Sequence, residues 1–430
     1  MAEKILRLTN PGATEPLYSH THAPLFDCCG DNDLMSLTVA GASPFLDWIG
    51  WQGTDVYRLV REYLLFTRAK ATAAGSGVAS AGWLCDPCAD PNSVETEFCE
   101  LEVEGFARLR RMGPTRDITK VGLNYCETSP RYRIDGVQIS DDLEYDMLRA
   151  TEVLIQDLSG LIVTGDADTC GQFDGLESLV KTGYDCCTLD SILIDWNESG
   201  MAESTGATWN GDPIPDDTSF INLLKALVRR IRQRVRMVPS LGGRNFVTGD
   251  IILVMPGSFI PCLLDAFTCY SVCNSGFFGS VWLNKEDRLF RDSLNGGMFG
   301  AGEITIEGLV IPIMPFDYGL INSGNTFDAY LLTRGIGNRR WLYGQYNNMN
   351  PVSARSPEYR ATDGGRLLEW DVEDHTCVER VVEMQPRLVL EAPWAQVRIS
   401  DISCDALGGP LSGDPWSEYF PYDCVEHENT

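Results

Sequence analysis

DDLEYDMLRATEVLIQDLSGLIV, residues 141–163, reads as one long helix. Asp141 and Asp142 put acids in the first turn, where the helix dipole favours negative charge. Leu143, Met147, Ala150, Leu154, Leu158 and Leu161 then recur at spacings of three and four, an apolar stripe for packing on a core. A span of about 22 residues exceeds the usual globular helix. The chain must then reverse, and it does so through TGDADTCGQFDGL, residues 164–176, followed by Glu177.

That connector is nearly a calcium loop. Counted from Asp166, acids stand at positions one, three and nine, glycine at six and glutamate at twelve, the spacing at which a hard cation collects oxygen ligands. Cys170 takes the fifth position, where Asp or Asn would supply oxygen. The following helix, LESLVKTGY, is short, and the motif has no second copy. Asp166, Asp168 and Glu177 therefore stay open as ion ligands, against the plainer reading that Asp166, Asp168 and Asp174 turn the chain and cap the helix beginning at Leu176.

Working outward, residues 1 to about 55 read as an arm, with prolines at 11, 16, 24 and 44. VYRLVREYLLFTR, residues 56–68, has helical spacing, and a small-residue run follows it. EFCELEVEGFARLRR, MGPT and RDITKVGLNYCE, residues 97–127, read as a hairpin around a Gly-Pro turn. Its first arm alternates Cys99, Leu101 and Val103 with Glu100, Glu102 and Glu104. A turn centred between Met112 and Gly113 sets Arg108 opposite Asp117 and Cys99 opposite Cys126. An isolated ribbon is marginal in water, so it must rest on something, and its own chain need not supply it. Beyond the connector, residues 220–237 form a helix with the stripe Leu224, Val228, Ile231 and Val235. DIILVM, residues 250–255, is a buried-strand run, and SFIPCLLDAFTCYSVC, residues 258–273, reads as another helix. Strand patterns recur at 303–316, 328–335, 340–346, 387–393 and 395–402.

Composition narrows the function. The 430 residues are 44% hydrophobic, enough for a proper core in one elaborated domain or two intertwined ones. No run reaches the roughly 20 apolar residues of a membrane helix, and the opening residues lack a secretory core, so the expectation is a soluble chain made in a cytoplasm, with no membrane partner. The formal net charge of -27 makes free DNA a poor partner for the body of the molecule. Arg229, Arg230, Arg232, Arg234 and Arg236 crowd one helix against that background, and an acidic face of another copy suits them better than nucleic acid.

Catalytic motifs are weak. WLCDPC, residues 83–88, has redox spacing, but no helix starts promptly after it. Zinc would want four ligands in paired knuckles, and Cys28-Cys29 and Cys186-Cys187 are merely adjacent. Four histidines, His20, His22, His375 and His427, give little acid-base capacity, and neither a nucleophile elbow nor a phosphate loop occurs. The expectation is a non-enzyme with no catalytic, cofactor or metal residues. Most of the 15 cysteines are expected to be buried small hydrophobes.

Arm, projecting hairpin, long helix, compact mixed domain and returning strands follow one another in an order that resembles the major capsid proteins of tailed phages with the Hong Kong 97-type shell fold. RYRIDGVQISDD, GQFDGLESLVKTGY, MFGAGEITIEGLVIPIMP and FDAYLLTRGIGNRRWLYGQY carry the resemblance. It implies an α+β fold with an arm and first helix at 1–70, an extended loop region at 71–140 and a peripheral domain with the spine helix at 141–185. An axial domain at 186–384 and returning peripheral strands with a tail at 385–430 complete it. It also implies hexamers and pentamers closing into an icosahedral shell around double-stranded DNA without sequence-specific contacts, with a portal and, where used, scaffolding or decoration proteins as partners. The location implied is the virion, after assembly in the host cytoplasm. In this family a loop lysine can be linked covalently to a neighbour, and Lys120 is the sole loop candidate. Cys99 with Cys126 is a candidate disulfide, formed once particles leave the reducing cell. An encapsulin-type compartment and a calcium- or thiol-dependent soluble enzyme are the alternatives.

Overall fold

The computed structural model describes residues 33–34, 44–54, 62–71, 94–117, 132–134, 137–139, 142–184, 189–197, 204–237, 245–260, 262–263, 290–291, 302–322, 326–337, 339–356, 358–375 and 377–404. The fold is α+β and rich in strands, as expected. Contacts divide the chain into two units, one of residues 1–59, 105–178 and 343–388, the other of residues 60–104, 179–342 and 389–430.

The first unit is built on the long helix, Asp142–Thr164. Of the expected stripe, Ala150, Leu154 and Leu158 are buried, Met147 and Leu161 are half-buried, and Ile162 is buried in place of Leu161. The helix lies on a sheet whose strands run in the order Arg360–Thr362, Leu367–Asp374, Cys377–Met384, Leu109–Met112. Here the expected Gly-Pro hairpin is overturned. Leu109 to Met112 pair with Met384 to Val381, and Asp117 pairs with Cys377 rather than facing Arg108. A hairpin reading sees only the neighbouring sequence, whereas this sheet had a better-matched strand some 270 residues further on, Cys377–Met384, already paired over its whole length with Leu367–Asp374.

The second unit is built on a nine-stranded mixed sheet. Its central strands, Ile192–Asp195, Val397–Ser403, Thr326–Thr333, Ile251–Met255 and Leu309–Pro315, stand in that order. Ile251–Met255 and Thr326–Thr333 are buried at every residue; the first is an unbroken apolar run, while the second carries Asp328, which accepts a hydrogen bond from Arg398 Nε. Phe220–Met237 forms as expected, and Leu224, Val228, Ile231 and Val235 enter one core with Ile251, Leu253, Phe327 and Val397. Cys262 and Cys404 are disulfide-bonded within that core. Of the helix expected over 258–273, the described part is a short turn at Gly257–Phe259 with helical Ile260, Cys262 and Leu263.

This unit also holds a two-stranded ribbon, Glu62–Ala71 against Val94–Val103. The helix expected over 56–68 is therefore corrected to a strand across Glu62–Ala71. Tyr, Phe and Thr there are strand formers, and the pairing with an equally long partner outweighs the helical spacing of the leucines. The ribbon's register sets Cys99 opposite Phe66. Cys126, Lys120, Trp83–Cys88, Cys28-Cys29 and Cys186-Cys187 lie outside the described residues, as do His20, His22 and His427. Residues 343–388 group with the long helix, and residues 389–404 with the large sheet. Strand pairing rather than order along the chain decides this. No described helix is long and apolar enough to cross a membrane.

Candidate assembly surfaces

The ribbon comes first because it is the least self-sufficient element. Cys99, Leu101 and Val103 are buried while Glu100 and Glu102 are exposed, the alternation expected of a half-buried strand. The register runs unbroken from Glu62 opposite Val103 to Ala71 opposite Val94. Among the described residues no third strand joins it. Cys99 is disulfide-bonded, and because the other described cysteines are either free or paired together, its partner lies outside the described residues.

On the helix-bearing sheet, charge is placed inside. Glu383 is 1% exposed and accepts hydrogen bonds from Arg108 Nε at 2.8 Å, Arg110 Nη2 at 2.6 Å and Gln385 Nε2 at 2.8 Å. Burial alone would raise its pKa, but the bonds from Arg108, Gln385 and Arg110 hold the carboxyl below its usual range. The Arg110 guanidinium also lies 4.9 Å over the Trp370 ring. One residue on, Arg111 grips Asp157 of the long helix through both carboxylate oxygens, tying strand to helix, and its pKa is raised chiefly by that bond.

The near-calcium loop is closed by backbone. Gly175 N–H donates to the Gly165 carbonyl at 2.9 Å, and a Cβ on Gly165 would lie 2.4 Å from the carbonyl oxygens of Leu161 and Phe173. Asp166 Oδ1 accepts the Asp168 N–H, and Asp174 Oδ1 accepts the Ala167 N–H. Two of the proposed ligand carboxylates are thus turned to the loop's own amides. They turn the chain as expected, and Ser178 Oγ of the helix Leu176–Leu179 ties back to the Gly165 carbonyl. That helix is also shorter than the LESLVKTGY pattern suggested, because Gly183 takes a positive φ and Asp190 receives the N–H groups of Gly183 and Tyr184. Cys170 is exposed and free. Among the described residues no group of three His, Cys, Asp or Glu is arranged to hold a metal ion.

The arginine helix distributes its cations unequally. Arg229 and Arg232 share Glu307, while Arg234 points inward and donates to the carbonyls of Asp190 and Trp394. Burial, aided by the nearby Arg230, pushes the Arg234 pKa down. Arg230 and Arg236 are exposed, with no acidic partner among the described residues. Sequence reasoning found the cluster but not this division, because Glu307 and the two carbonyls come from segments far along the chain.

No protein-family model matches the chain, and no curated protein matches it. Solved structures do. The capsid asymmetric unit of cyanophage A-1(L) is 13% identical, with 86% of this chain and 96% of that one covered at a TM-score of 0.46. The holo-SrpI encapsulin complex from Synechococcus elongatus is 12% identical, with 84% and 87% covered at a TM-score of 0.43. The capsid of the native GTA particle is 10% identical, with 92% and 100% covered at a TM-score of 0.42. These are proteins to which the chain is similar, and at such identities no residue of theirs is carried over to it.

Proposed function

We propose that this chain is the repeating subunit of a tailed-phage-type capsid: it assembles as hexamers and pentamers into an icosahedral shell that encloses double-stranded DNA without reading its sequence. The observation that carries the reading is the ribbon of Glu62–Ala71 and Val94–Val103. Ten residues per arm extend about 33 Å, and a two-stranded sheet of that length is marginal unless a further surface covers it. Symmetric neighbours supply such a surface on every subunit at once. The role is structural rather than catalytic, and the protein belongs in the virion, assembled beforehand in the host cytoplasm. A portal and, where used, scaffolding or decoration proteins are its other partners. The domain division in this reading takes the unit with the long helix as peripheral and the unit with the nine-stranded sheet as axial.

Size-exclusion chromatography and negative-stain microscopy of the expressed protein test the proposal. Rings or closed shells of megadalton size are expected. A 47.6 kDa monomer that persists on concentration overturns it. Shells recovered from producing cells with protein cargo and no nuclease-protected DNA would move the reading to the encapsulin-type compartment.

A further inference from the structure

The arginine helix Phe220–Met237 differs between its two ends. Its first turns border a largely apolar cavity of about 280 Å3 lined by Trp209, Pro213, Ile214, Pro215 and Leu223, with Asp212 also on its wall. Asp212, Asp216 and Asp217 are all exposed beside it. The last turns border a second cavity, lined by Arg232, Arg236, Asn245 and Phe246. Next to it Val247 stands 64% exposed, the most exposed of the large apolar side chains described. Its backbone is fixed rather than loose, since Asp250 Oδ2 accepts the Val247 N–H at 2.9 Å.

The two ends cannot serve each other. From Asn222 to Arg236 the helix rises about 21 Å at 1.5 Å per residue. Glu307 is shared by Arg229 and Arg232, which leaves Arg230 and, in the last turn, Arg236 with no acid on their own chain among the described residues. Asp212 and Asp217 likewise meet no cation among them. One end is an apolar knob flanked by arginines, and the other is an apolar pocket flanked by carboxylates. A knob and a complementary pocket at different places on one molecule make a heterologous contact, which closes into a ring when the rotation allows.

We propose that the unit bearing this helix pairs head to tail with a second copy of the chain, Val247 seated in the Trp209–Pro215 pocket of the next copy and Arg236 facing its Asp212. This rests on the shell reading in taking the partner to be another copy. The charges fix direction as well as contact: like ends present like charge, so a head-to-head pair is repelled.

Benzoylphenylalanine placed at position 247 in an equal mixture of 14N- and 15N-labelled full-length protein tests the contact. Irradiation is expected to give adducts of mixed isotope on the peptide spanning residues 208–223. Arg236→Glu and Asp212→Arg are each expected to raise the concentration needed for assembly about tenfold or more, and the two together to restore it. Mixed adducts confined to other peptides, or assembly unchanged in both single variants, overturn the inference and leave the shell reading standing if shells still form. Adducts at 208–223 in rings that never close into shells uphold the inference and overturn the shell reading. A wild-type monomer without mixed adducts overturns both.

Discussion

Glu383 keeps its charge where water scarcely reaches, because Arg108 and Arg110 bring theirs to it from a strand far away in sequence. Both arginines are about half exposed, so the pair is worth less than a fully buried one. Removing the carboxylate nevertheless leaves three donors competing for a neutral oxygen, and Glu383→Gln is expected to lower unfolding free energy by about 2 kcal/mol at neutral pH, read by urea titration. The pH dependence has a definite sign. A folded pKa held below the ordinary glutamate range means that the stabilisation is present above the unfolded carboxylate range and is lost as pH falls through the lowered folded value. The variant should therefore show a shallower acid limb than the parent below about pH 4. A parallel acid limb in the two proteins would show that Glu383 is not the group responsible. Nothing in the sequence marked this residue: a glutamate in a strand of alternating polarity, EWDVEDHTCVERVVEM, reads as solvent-facing until the arginine-bearing strand is known to lie beside it.

At the scale of elements, the connector after the long helix depends on two residues without side chains. Gly165 and Gly175 back onto each other, and a Cβ on Gly175 would come within 2.6 Å of the Leu161 carbonyl oxygen. Gly165→Ala and Gly175→Ala are each expected to cost more than about 2 kcal/mol, a backbone clash rather than a lost contact. Asp168→Asn, exposed and outside that closure, should change the thermal midpoint little, and differential scanning fluorimetry separates the three. Helices and buried strands were legible wherever one periodicity ruled: the long helix, the arginine helix and the strand Ile251–Met255 all follow from spacing or an unbroken apolar run. Two elements were not legible. Leu64 and Leu65 are adjacent, which suits a helical stripe and spoils strict alternation, so only the partner strand reveals Glu62–Ala71 as extended. The Gly-Pro turn was read as a hairpin because local rules pair neighbours, while Leu109–Met112 finds its partner in Cys377–Met384. The connector's acids were legible as turn formers, yet the glycine pair that closes the loop was masked by the resemblance to a metal motif.

At the scale of the whole molecule, the disulfide between Cys262 and Cys404 joins positions 142 residues apart, with Cα atoms 5.9 Å apart, an ordinary separation for such a bond. In the chain-entropy account a loop of this length stabilises by about 5 kcal/mol, because cross-linking restricts the unfolded chain. Cys404→Ser should lower the unfolding midpoint measurably under non-reducing conditions, while variant and parent should converge in dithiothreitol. Alkylation of both thiols in protein kept oxidised from purification onward would show that the bond does not form. The same pair marks where Val397–Ser403 leaves the large sheet, and that strand has a further consequence. It lies between Ile192–Asp195 and Thr326–Thr333, parallel to one and antiparallel to the other, so it completes the middle of a sheet whose other central strands precede it in the chain. During synthesis the ribosome delivers both flanking strands long before the one that joins them. Until residue 403 has cleared the exit tunnel, the nascent chain holds two half-sheets with open edges, and it is the last strand that closes them.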